Sequence, residues 1–79
     1  MARIIDSKDK NLIGDKIKQL RTDKNWSQQK VSDQLEMLAI YICRGSISRI
    51  EDKRRTVTDI ELYGLSQVFG VSIQELFED

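Results

Sequence analysis

The chain has 79 residues, 39% hydrophobic and 33% charged, which suits one folded domain with a small core. One cysteine and no histidine exclude an internal disulfide, histidine-based zinc sites and catalytic sites that need a histidine. No apolar run approaches the roughly 20 residues of a membrane span, and the N-terminus lacks a signal-peptide pattern. We therefore expect a cytoplasmic protein with no metal and no cofactor.

Charge is distributed unevenly along the chain, although the formal net charge is zero. Residues 44–58 carry a net charge of +3, whereas residues 59–79 carry −5 and contain no basic residue. A polyanion attracts the basic segment and repels the acidic one. This polarity is compatible with a protein that docks on nucleic acid by one face.

Two amphipathic helices are predicted after a short lead-in. Residues 1–10 show no sustained period, so we expect a flexible lead-in there. Asn11 is a suitable cap for the first helix, and Asn25, which tolerates the left-handed conformation, is a suitable end. Ser27 is a good N-cap for a second helix over about residues 27–38. The apolar stripes recur at i, i+4 and i+7, as Ile13, Ile17 and Leu20 and then as Val31, Leu35 and Leu38.

The segment AIYIC, residues 39–43, alternates like a strand but is too short and isolated to build a sheet. We expect an extended turn. The longer apolar run at residues 37–42 either folds onto the core or offers a surface to a partner. Cys43 is expected to pack as an inert small side chain rather than to act as a redox switch.

A third helix is predicted over about residues 44–52, with Ile47 and Ile50 facing the core. Its outward residues are Arg44, Gly45, Ser48 and Arg49. A basic loop with the sequence KRRTV follows at residues 53–57. Two short helices with basic residues gathered at the second are typical of a protein that enters a DNA groove.

The last two helices are marked by their capping residues. Thr58 and Glu61 form the capping-box pattern that opens a strongly apolar fourth helix, which Gly70 ends. Ser72 opens a last short helix. Five short helices joined by tight loops predict an all-α bundle.

Four stretches of the chain, taken together, resemble the lambdoid phage repressor and Cro family, also called the Xre family of bacterial regulators. They are IGDKIKQLR (13–21), WSQQKVSDQL (26–35), SISRIED (46–52) and LSQVFGVSIQELF (65–77). The resemblance implies a compact five-helix, lambda-repressor-like domain, which we place at residues 11–79. Its second and third helices would form a helix-turn-helix that binds DNA.

Nine residues are candidate DNA contacts: Gln28, Arg44, Gly45, Ser46, Ser48, Arg49, Lys53, Arg54 and Arg55. The resemblance implies that Gln28 touches a phosphate and that residues 44–46, at the start of the recognition helix, read bases. Arg49 matches a further outward position that reaches bases or backbone. Residues 53–55 match a loop that lies along the sugar-phosphate backbone.

Simpler interpretations compete with these roles. Arg44 and Arg49 either contact DNA or are solvated arginines of an ordinary surface helix. Gly45 either lets the backbone approach DNA or is merely tolerated at a helix start. Ser46 and Ser48 either donate to phosphate or cap the helix. The basic run at residues 53–55 is either a phosphate clamp or a solvated loop.

The resemblance also implies a structural salt bridge between Arg21 and Glu51. The chain departs from the family between Gln28 and Ile47, where it has about five more residues than the usual pattern. Ala39 stands where the family places a turn glycine. We therefore expect a lengthened second helix and turn.

These features predict a repressor-like transcriptional regulator that binds double-stranded DNA sequence-specifically and without catalysis. The resemblance implies that it binds as a homodimer on a palindromic site. The last helix and the neighbouring turns, with Ile73, Leu76 and Phe77, are the expected dimer interface. One alternative is a protein-interaction module, such as an antitoxin-like partner, that binds through the acidic tail or residues 37–42. The other is a small enzyme, although no catalytic constellation and no small-molecule site is evident in the sequence.

Overall fold

The computed structural model describes residues 8–78, and this part of the chain contains five helices and no strand. The helices are α1 (Gly14–Asp23), α2 (Gln28–Glu36), α3 (Arg44–Glu51), α4 (Asp59–Phe69) and α5 (Ile73–Leu76). The predicted all-α, five-helix architecture is confirmed. Most of the predicted lead-in, residues 1–7, lies outside the described residues.

The Asn11 side chain binds the start of α1 and joins it to the end of α3. Its Oδ1 accepts hydrogen bonds from the backbone N–H groups of Ile13 (3.1 Å) and Gly14 (2.9 Å). Its Nδ2 donates to the carbonyl oxygens of Ile50 (3.1 Å) and Arg55 (2.8 Å). Asn11 therefore binds free N–H groups at the start of α1, although the N-cap position itself is Ile13, two residues later than predicted. The same side chain satisfies two carbonyls near the end of α3.

The other predicted N-caps are present. The Ser27 hydroxyl accepts from the backbone N–H of Lys30, and the Thr58 hydroxyl accepts from that of Glu61. The Glu61 carboxylate in turn accepts from the backbone N–H of Thr58 at 3.0 Å, which completes the capping box. The Ser72 hydroxyl caps α5 in the same way as Ser27 caps α2.

Four of the helices end at a residue in the left-handed conformation. Asn25, Ala39, Lys53 and Gly70 have φ values of 57°, 60°, 61° and 68°. After α2, for example, the N–H of Ile40 donates to Leu35 and that of Ala39 donates to Glu36, which is the Schellman arrangement. The predicted ends at Asn25 and Gly70 are confirmed, and Ala39 adopts the conformation that favours glycine.

The core is formed by the buried faces of all five helices and by Ile42. Its buried hydrophobic residues are Ile13, Ile17, Val31, Leu35, Ile42, Ile47, Ile50, Leu65, Phe69 and Leu76. The Trp26 ring stacks on Phe69 with 5.8 Å between centroids, so it belongs to this core. Leu38 was predicted on the inner face of the second helix, which is wrong: it is 46% exposed, because α2 ends before it.

The α2–α3 connection is extended, as predicted, and its apolar residues divide between the two sides. Ile40 and Ile42 face the core, and the Ser32 hydroxyl donates to the carbonyl of Ile42 at 2.6 Å. Met37 and Tyr41 point outward and are each 78% exposed. The run at residues 37–42 therefore packs on the core and also leaves apolar side chains at the surface.

None of the helices in residues 8–78 combines the length and apolar composition that a membrane crossing requires.

Candidate nucleic-acid interface

The third helix, α3, is divided into a buried and an exposed face. Ile47 and Ile50 are fully buried between α1, α2 and the rest of the core. On the opposite side, Arg44, Gly45 and Arg49 are exposed, as predicted. The first turn of α3 contains no acidic residue. A helix anchored by one face and basic on the other has the arrangement of a recognition helix.

The Arg49 side chain lies back along α3 toward the N-terminus of the helix. Its Nη2 donates to the Ser46 hydroxyl at 2.9 Å. Its Nη1 lies 3.6 Å from the position that a Cβ atom would occupy at Gly45. Among residues 8–78, no carboxylate forms a salt bridge with Arg44 or Arg49. Their positive charges are therefore available to an external anion.

Each basic residue of the loop after α3, in contrast, already has an acidic partner. Lys53 Nζ lies 2.9 Å from Asp15 and 3.9 Å from Asp9, and Arg54 lies 3.0 Å from Asp52. These pairs are partly or largely exposed and so contribute little to stability. A phosphate that approached the loop would compete with these carboxylates.

Arg55 is the most firmly held of the three loop cations. Its Nη1 and Nη2 each donate to one oxygen of the Glu61 carboxylate at 2.9 Å. This bidentate pair lowers the pKa of Glu61, and the Thr58 N–H reinforces the effect while partial burial opposes it. The same pair raises the pKa of Arg55. Arg55 thus joins the loop to the capping box of α4.

Gln28 and Arg21 converge on the buried carboxylate of Glu51. Arg21 donates from Nε to Oε2 (2.7 Å) and from Nη2 to Oε1 (3.0 Å), so the expected salt bridge forms. Gln28 Nε2 donates to the same Oε1 at 3.1 Å. The Glu51 hydrogen bond is also the main reason why the pKa of Arg21 is raised. The Gln28 amide is therefore engaged inside the fold, at the N-terminus of α2.

Cys43 is exposed and occupies the N-cap position of α3, so the expectation that its side chain is packed in the interior is wrong. The short turn directs Ile42 inward and its neighbour outward, because successive side chains of an extended segment alternate. The Cys43 Sγ lies 3.5 Å from the Ser46 hydroxyl. Hydrogen bonding to the Ser46 side chain, then to its backbone N–H, lowers the pKa of the thiol.

A groove of about 380 Å³ runs beside the start of α3. Gln29, Ser32 and Glu36 line it from α2, and residues 41–44 line it from the turn. The Glu36 carboxylate makes this groove unfavourable for a second anion. Residues 8–78 hold no cluster of carboxylates and thiols that could bind a metal ion.

Comparison with known protein families identifies the family of this chain. The sequence model of the helix-turn-helix family HTH_3, the Xre and lambda-repressor type, matches residues 17–76. The chain belongs to this family. A search of curated proteins finds no significant match. HTH_3 is a family of DNA-binding domains and not of enzymes, so this HTH_3 domain is a DNA-binding regulator in general terms.

The structure of this HTH_3 domain brings most of the candidate contact residues to one region, on α3 and the loop after it. Sequence reasoning overlooked the acidic partners of the loop, Asp15, Asp52 and Glu61. Asp52 is two positions from its partner and was detectable. The Asp15–Lys53 pair spans 38 positions, so no local pattern signals it.

Proposed function

We propose that this HTH_3 domain is a repressor-type transcriptional regulator that inserts α3 into the major groove of double-stranded DNA. The observation that carries the proposal is the pair of exposed guanidinium groups, Arg44 and Arg49, on a helix without a competing salt bridge in the described chain. Arginine forms bidentate hydrogen bonds with guanine O6 and N7. We assign base reading to Arg44 and Arg49, and we place Gly45, Ser46 and Ser48 of the same helix at the DNA surface beside them.

The phosphate contacts are assigned to the elements that flank α3. The first N–H groups of α2 have no intrahelical partner, so the backbone at Gln28 is suited to an anion. We propose that the Gln28 amide positions this helix end by its bond with Glu51. The loop residues 53–55 would approach the next phosphates, with Arg54, 64% exposed, as the most accessible cation of the three.

We further propose that the protein binds as a homodimer on a palindromic site. Ile73 and Phe77 are 39% and 40% exposed and remain available for an interface near α5. Leu76 is fully buried, so it supports the core and not the dimer. A dimer places two recognition helices about 34 Å apart along one face of DNA. The DNA of a bacterial or phage genome lies in the cytoplasm, which is the location we propose.

The test is selection of bound sequences from random DNA, followed by affinity measurements over a range of salt concentrations. We expect a palindromic consensus and a slope of about 0.9 log unit of affinity per log unit of salt for each phosphate contact. Arg44→Ala should change the selected sequence, whereas Arg54→Ala should weaken all sequences alike and reduce the slope by about one. Binding without sequence preference or salt dependence would overturn the proposal.

A second candidate function is suggested by the exposed apolar side chains outside α3. Met37, Tyr41, Ile60 and Tyr63 are 58–78% exposed, which is compatible with a protein-interaction module. Such a module would bind its polypeptide partner unchanged after Arg44 and Arg49 are both replaced by alanine. If the double variant no longer binds DNA and the wild type binds no polypeptide, the results would favour the DNA-binding regulator.

A further inference from the structure

We propose that Ser46 is a positioning residue that holds the Arg49 guanidinium in one orientation, over Gly45, and that Arg49 reads a base edge in this orientation. This inference rests on the proposed DNA-binding function. It concerns how α3 obtains its sequence preference, because a fixed guanidinium recognises a base pair more selectively than a mobile one.

The geometry of α3 brings these three residues together. Positions three and four residues apart lie on the same helix face, and helical side chains lean toward the N-terminus. Arg49 leans in this way, and its Nη2 reaches the Ser46 hydroxyl at 2.9 Å. Its other terminal nitrogen lies over Gly45, 3.6 Å from a virtual Cβ atom. Ser46 therefore accepts the hydrogen bond from Arg49, and the small Gly45 leaves room for the guanidinium.

Glycine is an unfavourable choice at this place on local grounds. Gly45 has no left-handed backbone conformation that would require glycine, since Gly70 is the glycine with positive φ in the described chain. Within a helix glycine is disfavoured relative to alanine. A β-carbon at 3.6 Å would only touch the guanidinium, but a longer side chain would occupy its place. The space beside Arg49 therefore favours a small residue at position 45, either glycine or alanine.

Ser46 acts toward Arg49 as an acceptor. The Cys43 thiol lies 3.5 Å from the same hydroxyl. A hydroxyl has two acceptor lone pairs and one O–H donor, so Ser46 can accept from Arg49 while it bonds the Cys43 sulfur, including as a donor to the thiolate. Arginine has five N–H donors in a planar fork, and one bond to Ser46 leaves donors for a bidentate contact with guanine.

Fixing the guanidinium before binding has a direct effect on selectivity. A long arginine side chain loses rotamer freedom when it is ordered in an interface. The bond to Ser46 removes part of this loss in advance, and it restricts the directions in which the remaining donors point. Arg44, which has no such bond in the described structure, lacks this restriction. Arg49 should therefore discriminate between base pairs more strongly than Arg44 does.

The test uses selected DNA and its variants at each base pair of the half-site. Ser46→Ala should lower the preference for the base pair read by Arg49 about fivefold, which corresponds to the loss of one hydrogen bond. The salt dependence of the affinity should not change. Ser46→Thr, which retains the hydroxyl, should restore the preference. In an Arg49→Ala background, Ser46→Ala should have no further effect. Melting temperatures would establish that the variants remain folded.

Ser48→Ala is the matched control, since Ser48 lies on the same helix but makes no bond with Arg49. Any effect of Ser48→Ala should add independently to that of Arg49→Ala. If Ser46→Ala does not alter any base preference, or alters it equally without Arg49, the inference is wrong. If the Ser46 variants give these results but the wild-type protein still binds DNA sequence-selectively, the proposed function remains intact. A wild-type protein with no sequence-selective DNA binding would overturn both.

Discussion

The Arg21 guanidinium and the Glu51 carboxylate form two parallel hydrogen bonds, 2.7 and 3.0 Å long, that join α1 to the end of α3. Their side chains are 14% and 2% exposed. Arg21 Nη1 also donates to the carbonyl of Trp26, so one side chain connects α1, α3 and the turn before α2. The position of α3 on the domain therefore depends on this pair.

Removal of one partner from this pair should destabilise the protein severely. In Arg21→Ala the Glu51 carboxylate stays buried without its cation, which costs about 3–5 kcal/mol. The double variant Arg21→Met, Glu51→Leu, which removes both charges, should recover most of this loss. Urea unfolding followed by circular dichroism measures both. Equal stability of Arg21→Ala and the wild type would contradict the structural role of the pair.

Ala39 is a site at which glycine should stabilise the fold. An alanine with φ of 60° carries a steric penalty of roughly 1–2 kcal/mol that glycine does not. Part of this gain is offset by the greater backbone entropy of glycine in the unfolded chain. We expect Ala39→Gly to raise the free energy of unfolding by about 1 kcal/mol.

Gly70→Ala is the opposite control, because no heavy atom lies within 4 Å of its virtual Cβ. The added methyl group therefore affects only the backbone conformation, and the free energy of unfolding of the variant should fall by about 1 kcal/mol. Thermal and urea unfolding of both variants would check these values. A loss of stability in Ala39→Gly would show that its methyl group contributes packing that outweighs the backbone penalty.

The Arg55–Glu61 pair should make stability depend on acid pH. The pKa of Glu61 is lowered in the folded state, chiefly by the Arg55 hydrogen bonds. Its contribution is therefore complete above the unfolded-state pKa, near 4.5, and disappears as the pH falls through the lower folded-state value. Glu61→Gln retains a side chain suited to the capping box but has no charge.

Urea unfolding at pH 7 and pH 3 tests this expectation. Wild type should be more stable than Glu61→Gln at pH 7, and the difference should shrink at pH 3. A difference that is independent of pH would show that the ion pair is not its source.

Cys43 should be more reactive toward alkylating reagents than an ordinary thiol at neutral pH. The Ser46 hydrogen bond lowers the pKa of the thiol, so a larger fraction is thiolate, the nucleophilic form. The pH profile of iodoacetamide labelling should have its midpoint below that of the urea-unfolded protein. Ser46→Ala should move the native profile upward. Coincident profiles for native and unfolded protein would refute the expectation.

The sequence by itself determined the helices, because their signals are local. The Ser27 and Thr58 hydroxyls bond backbone N–H groups three residues further on, and Asn25 and Gly70 end their helices within the same few residues. The helix boundaries were therefore predicted to within a few residues. The Arg21–Glu51 pair, 30 positions apart, was identified only through the family resemblance.

Only the tertiary structure decided which basic residues have an acidic partner within the fold. Lys53, Arg54 and Arg55 form one basic run in the sequence, but the fold pairs each with a carboxylate. The Asp15–Lys53 pair exists because α1 approaches the end of α3 closely at Gly14, where a virtual Cβ would lie 2.9 Å from the Glu51 carbonyl. Contacts of this kind depend on helix packing, which local patterns do not encode.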